Sequence, residues 1–525
     1  MALALSVPAQ EKNSLRGLEI RPKQAREWIE SLPLTRTMES ARAVYEHLSL
    51  LNRAVIPAEE RMALGEIYHP VLGTLLDELE HVFAYNPLPL SYKQREALDL
   101  ARGLALETAC LYKHFIVETT SKLLAFGAKK SLPLPIFRAM RSLHRVLLQS
   151  YMIYHPAPAG VWLELNQMYA YCEQEGLLDE APDASVRLSL LDVYAIALVL
   201  SLSDPYRLMQ REVEKVRDLL EHSPGLVALI TQLPEGVSAD KLYSVALDAD
   251  RAPRLLSLEL KDRSGQALRA LDLSRLCEHM QERLDTSSGN REALSRSRAT
   301  HDTADLIGRL LRLWSDPPKR QFRRNPAENV VAVCSGIKAI VHFSALAEEE
   351  KPDLEKAAIR SGDTVPLLRI PDDPLSKRIG VEKWLVLNQS PSGLRLHNEP
   401  GGAVGVTVGE VVGVRFAGTR AWNIGVVRWL NLLAGNELEF GLEFIASGAH
   451  PVQIEPTIAS NGRVQDALKL PPILESEGEK LLTPADTFSD LREYEISDAA
   501  GSKLVRATTL LEKTSSFDLF QFTPS

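Results

Sequence analysis

The spacing of apolar residues changes along this 525-residue chain, and that change limits the fold more than any other feature. Through residues 1–225, apolar side chains recur every three or four positions, in stripes at 58–84, 91–125, 134–153, 159–177, 184–202 and 208–222. This period is that of amphipathic helices, and such helices bury their apolar faces against one another. The sequence therefore predicts an all-α helical bundle or superhelix for residues 1–225.

A mixed pattern follows over residues 226–316 and predicts a small α/β connector. Strands are expected at 243–247 and 255–260, and helices at 267–284 and 302–314. The connector ends at Asp316-Pro317-Pro318, because consecutive prolines stop a helix and stiffen the chain.

Beyond residue 324 the pattern is that of short antiparallel strands separated by glycine and asparagine turns. Strands are expected at 330–334, 338–343, 383–387, 394–397, 407–416, 421–430 and 437–444, the first two forming a hairpin around Ser335-Gly336. Short strands at this spacing predict a small closed β-barrel over 317–455, with residues 345–380 as an insertion. Further runs at 480–482, 493–496, 503–511 and 517–522 predict an additional small β module over 456–525. The expected fold class is therefore multidomain α+β.

Composition excludes several kinds of protein. The net charge is −9, whereas a nonspecific DNA- or RNA-binding protein carries a broad basic surface. The four cysteines are far apart and form no C-x-x-C pair, which fits a reducing cytoplasm. The apolar run at 188–203 is shorter than a membrane span and contains Asp192, so we expect a buried helix and no membrane span.

No residue pattern points to catalysis, a cofactor or a metal. The glycine-rich segment 401–405 lacks a P-loop lysine and a strand–turn–helix context, so we expect a loop. The histidines do not show metal-ligand spacing such as H-E-x-x-H. We therefore expect a protein that is not an enzyme.

One pair of motifs does carry binding chemistry. The basic cluster after the connector contains Arg320, Arg323 and Arg324, and the outer two form R-x-x-x-R. A planar guanidinium fits the N7 and O6 acceptors of guanine with two hydrogen bonds, and it also binds phosphate. The second motif, N-x-S-x-x-G, supplies the Asn388 amide, the Ser390 hydroxyl and, at Gly393, room for a positive φ or for a close backbone approach. Together these groups suit an anionic, guanine-bearing ligand.

Residues 320–446 resemble a PilZ domain, the small β-barrel receptor for cyclic di-GMP. The family motif is R-x-x-x-R, then D/N-x-S-x-x-G, then a late V-x-W and G-x-x-F strand pair, matched here by Val427-Arg428-Trp429 and Gly441-Leu442-Glu443-Phe444. The resemblance implies that Arg320 and Arg324, which lie in the linker 317–324, bind the guanines or phosphates of the ligand. It also implies that Arg323 can substitute for either arginine. It also implies that Asn388, Ser390 and Gly393 line the barrel side of the site.

Two functions remain open. In the first, the chain is a cytoplasmic cyclic di-GMP receptor whose helical region contacts an unknown protein partner. In the second, the barrel is a degenerate PilZ scaffold that binds protein partners without nucleotide. The 345–380 insertion favours the second, and the combined motif favours the first.

Overall fold

The computed structural model describes residues 3–11, 20–121, 128–231, 238–239, 242–262, 267–289, 298–315, 325–327, 329–349, 378–398, 404–457, 463–472, 478–498 and 500–525. The chain folds into two compact units. The first comprises Met1–Tyr85 and Leu90–Lys319, and the second comprises Asn86–Pro89 and Arg320–Ser525. The second unit contains the residues of both sequence motifs.

The helical prediction for the N-terminal region is confirmed. Its helices are α1 (Pro22–Glu30), α2 (Thr37–Arg53), α3 (Ala58–Phe83), α4 (Tyr92–Ser121), α5 (Ala128–Ser131), α6 (Pro133–Met152), α7 (Val161–Glu175), α8 (Leu190–Leu202) and α9 (Glu212–Glu221). Helix α8 is the run that we expected to be buried, and most of its residues are. The Ser189 hydroxyl caps it by accepting from the Asp192 amide, while the Asp192 carboxylate accepts from the Ser189 amide.

A four-stranded antiparallel sheet follows, in the order β1-β4-β2-β3. Its strands are β1 (Ala228–Ile230), β2 (Tyr243–Ala246), β3 (Arg254–Leu255) and β4 (Leu268–Asp272), and its helices are α10 (Leu256–Asp262), α11 (Ser274–Gly289) and α12 (Arg298–Ser315).

Two expectations in this segment were wrong. Residues 255–260 are mainly the helix α10, because the buried Glu259 turns inward and accepts hydrogen bonds from Arg251 and Arg254. The expected helix at 267–284 begins as strand β4, because the run Leu268–Asp272 pairs with β1 on one side and β2 on the other. In both runs, contacts with distant residues override the local pattern.

The second unit begins with a closed β-barrel. Its elements are β5 (Asn325–Pro326), β6 (Val330–Ser335), α13 (Ile337–Glu349), β7 (Glu382–Ser390), β8 (Gly393–Asn398), β9 (Val411–Phe416), β10 (Asn423–Leu432) and β11 (Leu438–Ala446). Strands pair antiparallel in the cyclic order β7-β6-β9-β10-β11-β8, and β8 closes the ring by pairing with β7. The short strand β5 adds to the end of β7.

The hairpin expected around Ser335-Gly336 was wrong, because residues 338–343 belong to helix α13. Gly336 adopts a φ of 85° and turns the chain, after which Ile337, Ile340 and Phe343 recur at helical spacing and are buried. A short apolar run alone does not distinguish a helix from a strand. Of the expected insertion, residues 345–349 complete α13, and residues 350–377 lie outside the described part of the chain.

The C-terminal β module is a second closed barrel. It comprises β12 (His450–Pro456), β13 (Gln465–Leu470), β14 (Lys480–Pro484), β15 (Glu493–Asp498), β16 (Gly501–Lys513) and β17 (Phe517–Pro524), ordered β12-β13-β14-β17-β16-β15. Helix α13 packs against both barrels. Its Ile340 and Phe343 share one hydrophobic core with Trp422 of the first barrel and with Leu470 and Phe517 of the second. The two barrels are therefore joined by common apolar packing rather than by a linker alone.

Candidate functional site

The N-x-S-x-x-G motif lies where β7 passes into β8. We expected a turn over the whole motif, but Asn388 and Ser390 belong to β7, and Gly393 begins β8. Only Pro391 and Ser392 form the turn. In register, Ser390 faces Gly393, and the Ser390 hydroxyl lies 3.3 Å from the Gly393 carbonyl oxygen to which it donates. The motif is therefore a tight hairpin end with a half-buried asparagine and serine.

Gly393 is required by close strand packing. Its φ lies outside the left-handed region, and a Cβ atom added to it would lie 2.1 Å from the carbonyl oxygen of Leu442 on β11. Any side chain here would push β8 away from β11. The close approach at Gly393 is thus to a neighbouring strand.

The residues that directly follow the arginine motif pair with this hairpin. Arg320, Arg323 and Arg324 lie outside the described residues. The described chain resumes at Asn325, which pairs with Gln389, and Pro326 pairs with Asn388. The pairing of β5 with β7 brings Asn325 and Pro326 to the strand that carries Asn388, although some sixty residues separate the two strands in the sequence.

Asn388 also lies in a row of residues that crosses four strands of the barrel. It pairs with Arg395 on β8, Arg395 pairs with Gly441 on β11, and Gly441 pairs with Trp429 on β10. A Cβ atom on Gly441 would lie 1.9 Å from Nε1 of Trp429, so the indole lies across the glycine. The Arg395 guanidinium reaches over this glycine, and its Cζ is 5.9 Å from the centre of the Trp429 ring.

Arg395 is held by an ion pair with a largely buried carboxylate. Its Nη2 lies 2.5 Å from Oε2 of Glu439, whose side chain is only 9% exposed. We did not single out Arg395 or Glu439 from the sequence. The alternation Leu394-Arg395-Leu396-His397 contained a usable signal, because the two leucines are buried and the two polar residues are half-buried.

Arg428, in the V-x-W part of the late motif, has a different role. Its Nε donates to Glu443 at 2.8 Å, and both Nη groups donate to Glu512 on strand β16 of the second barrel. Burial acts to lower the pKa of Arg428, but the hydrogen bonds to Glu512 and the charges of both carboxylates outweigh it and raise that pKa. Arg428 thus connects the two barrels.

A second polar connection between the barrels involves Glu410. Its carboxylate accepts from the Ser516 hydroxyl at 3.1 Å and from Thr407 at 3.2 Å. Burial raises the pKa of Glu410, although both hydroxyl groups act in the opposite direction. Through Glu410 and Arg428 the second barrel is fixed to the first by hydrogen bonds as well as by the shared core.

The described residues contain no group of three or more histidine, cysteine, aspartate or glutamate side chains placed to hold a metal ion. In the same part of the chain, no helix combines the length and the apolar character that crossing a membrane requires.

Comparison with known proteins assigns the chain to three successive family models. Residues 23–234 match the N-terminal domain of the cyclic-di-GMP receptor FimW, residues 242–357 and 376–451 match its middle PilZ domain, and residues 452–525 match its C-terminal β-barrel domain. The PilZ resemblance is therefore confirmed, and the PilZ model extends upstream to include the α/β segment that begins at residue 242.

A full-length relative shows the same arrangement. The cyclic-di-GMP receptor FimW of Pseudomonas aeruginosa is 25% identical over 99% of this chain and 93% of its own length. No solved structure matches the chain. Three domain models of one receptor thus match in succession, and the middle part of the chain belongs to the PilZ domain family.

Proposed function

We propose that this chain is a cyclic di-GMP receptor, and that the ligand binds where the arginine motif meets the β7–β8 hairpin. The observation that carries the proposal is the register of β5 on β7. Arg324 is bonded to Asn325, and Asn325 pairs with Gln389 between Asn388 and Ser390. The chain that follows the arginine motif is therefore paired with the strand that carries Asn388 and Ser390, which supports a site formed by both halves.

The chemistry of the two halves is complementary. Arg320, Arg323 and Arg324 supply positive charge and planar donors for phosphates and for guanine edges. Asn388 and Ser390 supply neutral donors and acceptors from a rigid strand. An anionic dinucleotide with two guanines uses both kinds of group.

Isothermal titration with cyclic di-GMP tests the proposal directly. We expect the wild-type chain to bind and Arg324→Ala to bind at least about tenfold more weakly, because a charged hydrogen-bond partner is lost. Arg506→Ala is the matched control, since Arg506 lies on the second barrel in an ion pair with Glu493. A folded wild-type chain that does not bind cyclic di-GMP would contradict the receptor proposal and favour the scaffold function.

The remaining parts of the chain fit the role of a receptor without catalysis. We propose that the helical region 1–225 is the output module and contacts a protein partner in the cytoplasm. In this proposal 226–316 is a connector, 317–455 is the ligand-binding barrel and 456–525 is a supporting barrel. Ligand binding can change the output only if the ligand has different affinities for two arrangements of the chain.

Capture of protein partners by the full chain, with and without cyclic di-GMP, tests this coupling between ligand and partner binding. Partner capture that the ligand leaves unchanged would contradict the coupling.

A further inference from the structure

We propose that Arg395 donates hydrogen bonds to the base edge of a bound guanine and sets the preference of this site for guanine over adenine. The inference rests on the proposed function and adds to it a residue outside both sequence motifs. Its starting point is the direct pairing of Arg395 with Asn388 across β7 and β8. Directly paired residues have Cβ atoms about 5 Å apart, so a ligand against Asn388 lies within reach of this arginine.

The guanidinium of Arg395 is held in place but keeps unused donors. Among the described residues it makes one hydrogen bond, from Nη2 to Glu439, although a guanidinium has five N–H groups. Its Nε is buried and has no hydrogen-bond partner. The side chain is 37% exposed, so a ligand can reach its outer edge.

Two neighbours fix the orientation of Arg395. The Glu439 carboxylate holds one Nη group, and the Trp429 ring lies beside the guanidinium across Gly441. Gly441 makes this possible, because a side chain at that position would occupy the place of the indole. A planar fork whose position is fixed beforehand loses less entropy when it binds a base edge.

The same ion pair favours a base over a phosphate as the target. Glu439 largely neutralises Arg395 and would repel a phosphate placed beside it. The N7 and O6 atoms of guanine are neutral acceptors that match an arginine fork, whereas adenine presents one acceptor and one donor at that edge. Arg395 therefore distinguishes the two purines at this position.

Titrations of wild type, Arg395→Ala and Arg395→Lys with cyclic di-GMP and cyclic di-AMP test the inference. We expect both variants to lose roughly 5- to 150-fold in cyclic di-GMP affinity, and the ratio between the two nucleotides to shrink by a similar factor. Lysine keeps the charge beside Glu439 but has no fork, so Arg395→Lys separates base reading from simple charge. Thermal unfolding verifies that each variant is folded, and Arg506→Ala is the control.

The outcomes separate this inference from the receptor proposal. A wild-type chain that does not bind cyclic di-GMP removes the receptor proposal itself. If the wild-type chain binds cyclic di-GMP and both Arg395 variants bind it as tightly as the wild type does, the inference alone is overturned. An equal loss of affinity for both nucleotides also overturns it, because Arg395 would then contact a part that the two ligands share.

Discussion

Gly393 approaches Leu442 so closely that a Cβ atom on the glycine would lie 2.1 Å from the leucine carbonyl oxygen. The last position of the N-x-S-x-x-G motif is thus fixed by the contact of β8 with β11 as well as by any ligand. Loss of binding after a change at this glycine would not by itself identify a ligand contact. Stability and binding have to be measured together.

We expect Gly393→Ala to lower the stability of the second unit by about 1–3 kcal/mol, because the added methyl group overpacks the strand contact. The measurement is the urea unfolding midpoint, with near-ultraviolet circular dichroism as the readout. Gly448→Ala is the matched control, since an added Cβ there has no neighbour within 4 Å. An unchanged midpoint for Gly393→Ala would contradict the packing argument.

The shared core predicts that the two barrels lose stability together. Phe343 on α13 is 1% exposed and packs against Trp422, with ring centres 5.5 Å apart. Phe343→Ala should cost about 3–5 kcal/mol, because the cavity is only partly refilled. Hydrogen exchange should then increase in β9 and β10 and also in β13 and β14.

The control for Phe343 is Leu511→Ala on β16, because this leucine is 43% exposed. We expect its exchange pattern to match that of the wild type. If Phe343→Ala increases exchange in the first barrel only, the barrels are energetically independent despite their common core.

The sequence patterns predicted those parts of the fold in which the spacing of apolar residues along the chain matches the set of residues that the fold buries. The long helices of the first 225 residues and the strands β10 and β11 are of this kind, since their apolar spacing is sustained over many residues. Helix α13 was predicted as a strand, because its apolar run is short and its burial depends on the second barrel. That barrel is remote in sequence, so the local pattern could not show which face would be covered.

The sequence motifs proposed residue types for the candidate site but could not show how the strands that carry them are assembled. Asn388 and Ser390 were proposed from the motif, but their proximity to Asn325, the residue after the arginine motif, depends on the register of β5 with β7. A register between segments some sixty residues apart is set by tertiary packing. Arg395 was not singled out, because its neighbours Glu439 and Trp429 lie on other strands.

A double-mutant cycle should detect the ion pair between the barrels. We expect Arg428→Met and Glu512→Gln to be coupled by about 1 kcal/mol or more, because the pair is partly buried and bidentate. The measurement is the urea midpoint of the wild type, the two single variants and the double variant. The cycle with Glu443→Gln is the comparison, since the Glu443 side chain is 53% exposed and its ion pair is better screened. Equal coupling in both cycles would contradict a special role for Glu512.

Glu214 on helix α9 should make the stability of the first unit depend on pH. One of its carboxylate oxygens, Oε2, is buried without a hydrogen-bond partner. Burial raises its pKa to about 7, and the nearby Glu80 carboxylate adds to the shift while Arg217 opposes it. The native state therefore retains a proton on Glu214 that the unfolded chain releases near pH 4.5.

Because the native state binds more protons between pH 4.5 and 7, the Glu214 contribution to stability falls as pH rises through that range and is flat above it. We expect Glu214→Gln to remove this fall and to exceed the wild-type stability at pH 8 by on the order of 2 kcal/mol. The difference in stability between the two proteins is measured as the urea unfolding midpoint from pH 4.5 to 8, with the helical circular dichroism signal as the readout. Glu59→Gln, at an exposed carboxylate on α3, should follow the wild-type curve. If Glu214→Gln follows it too, Glu214 is ionised in the folded protein at neutral pH, and its burial does not raise its pKa enough to keep the proton.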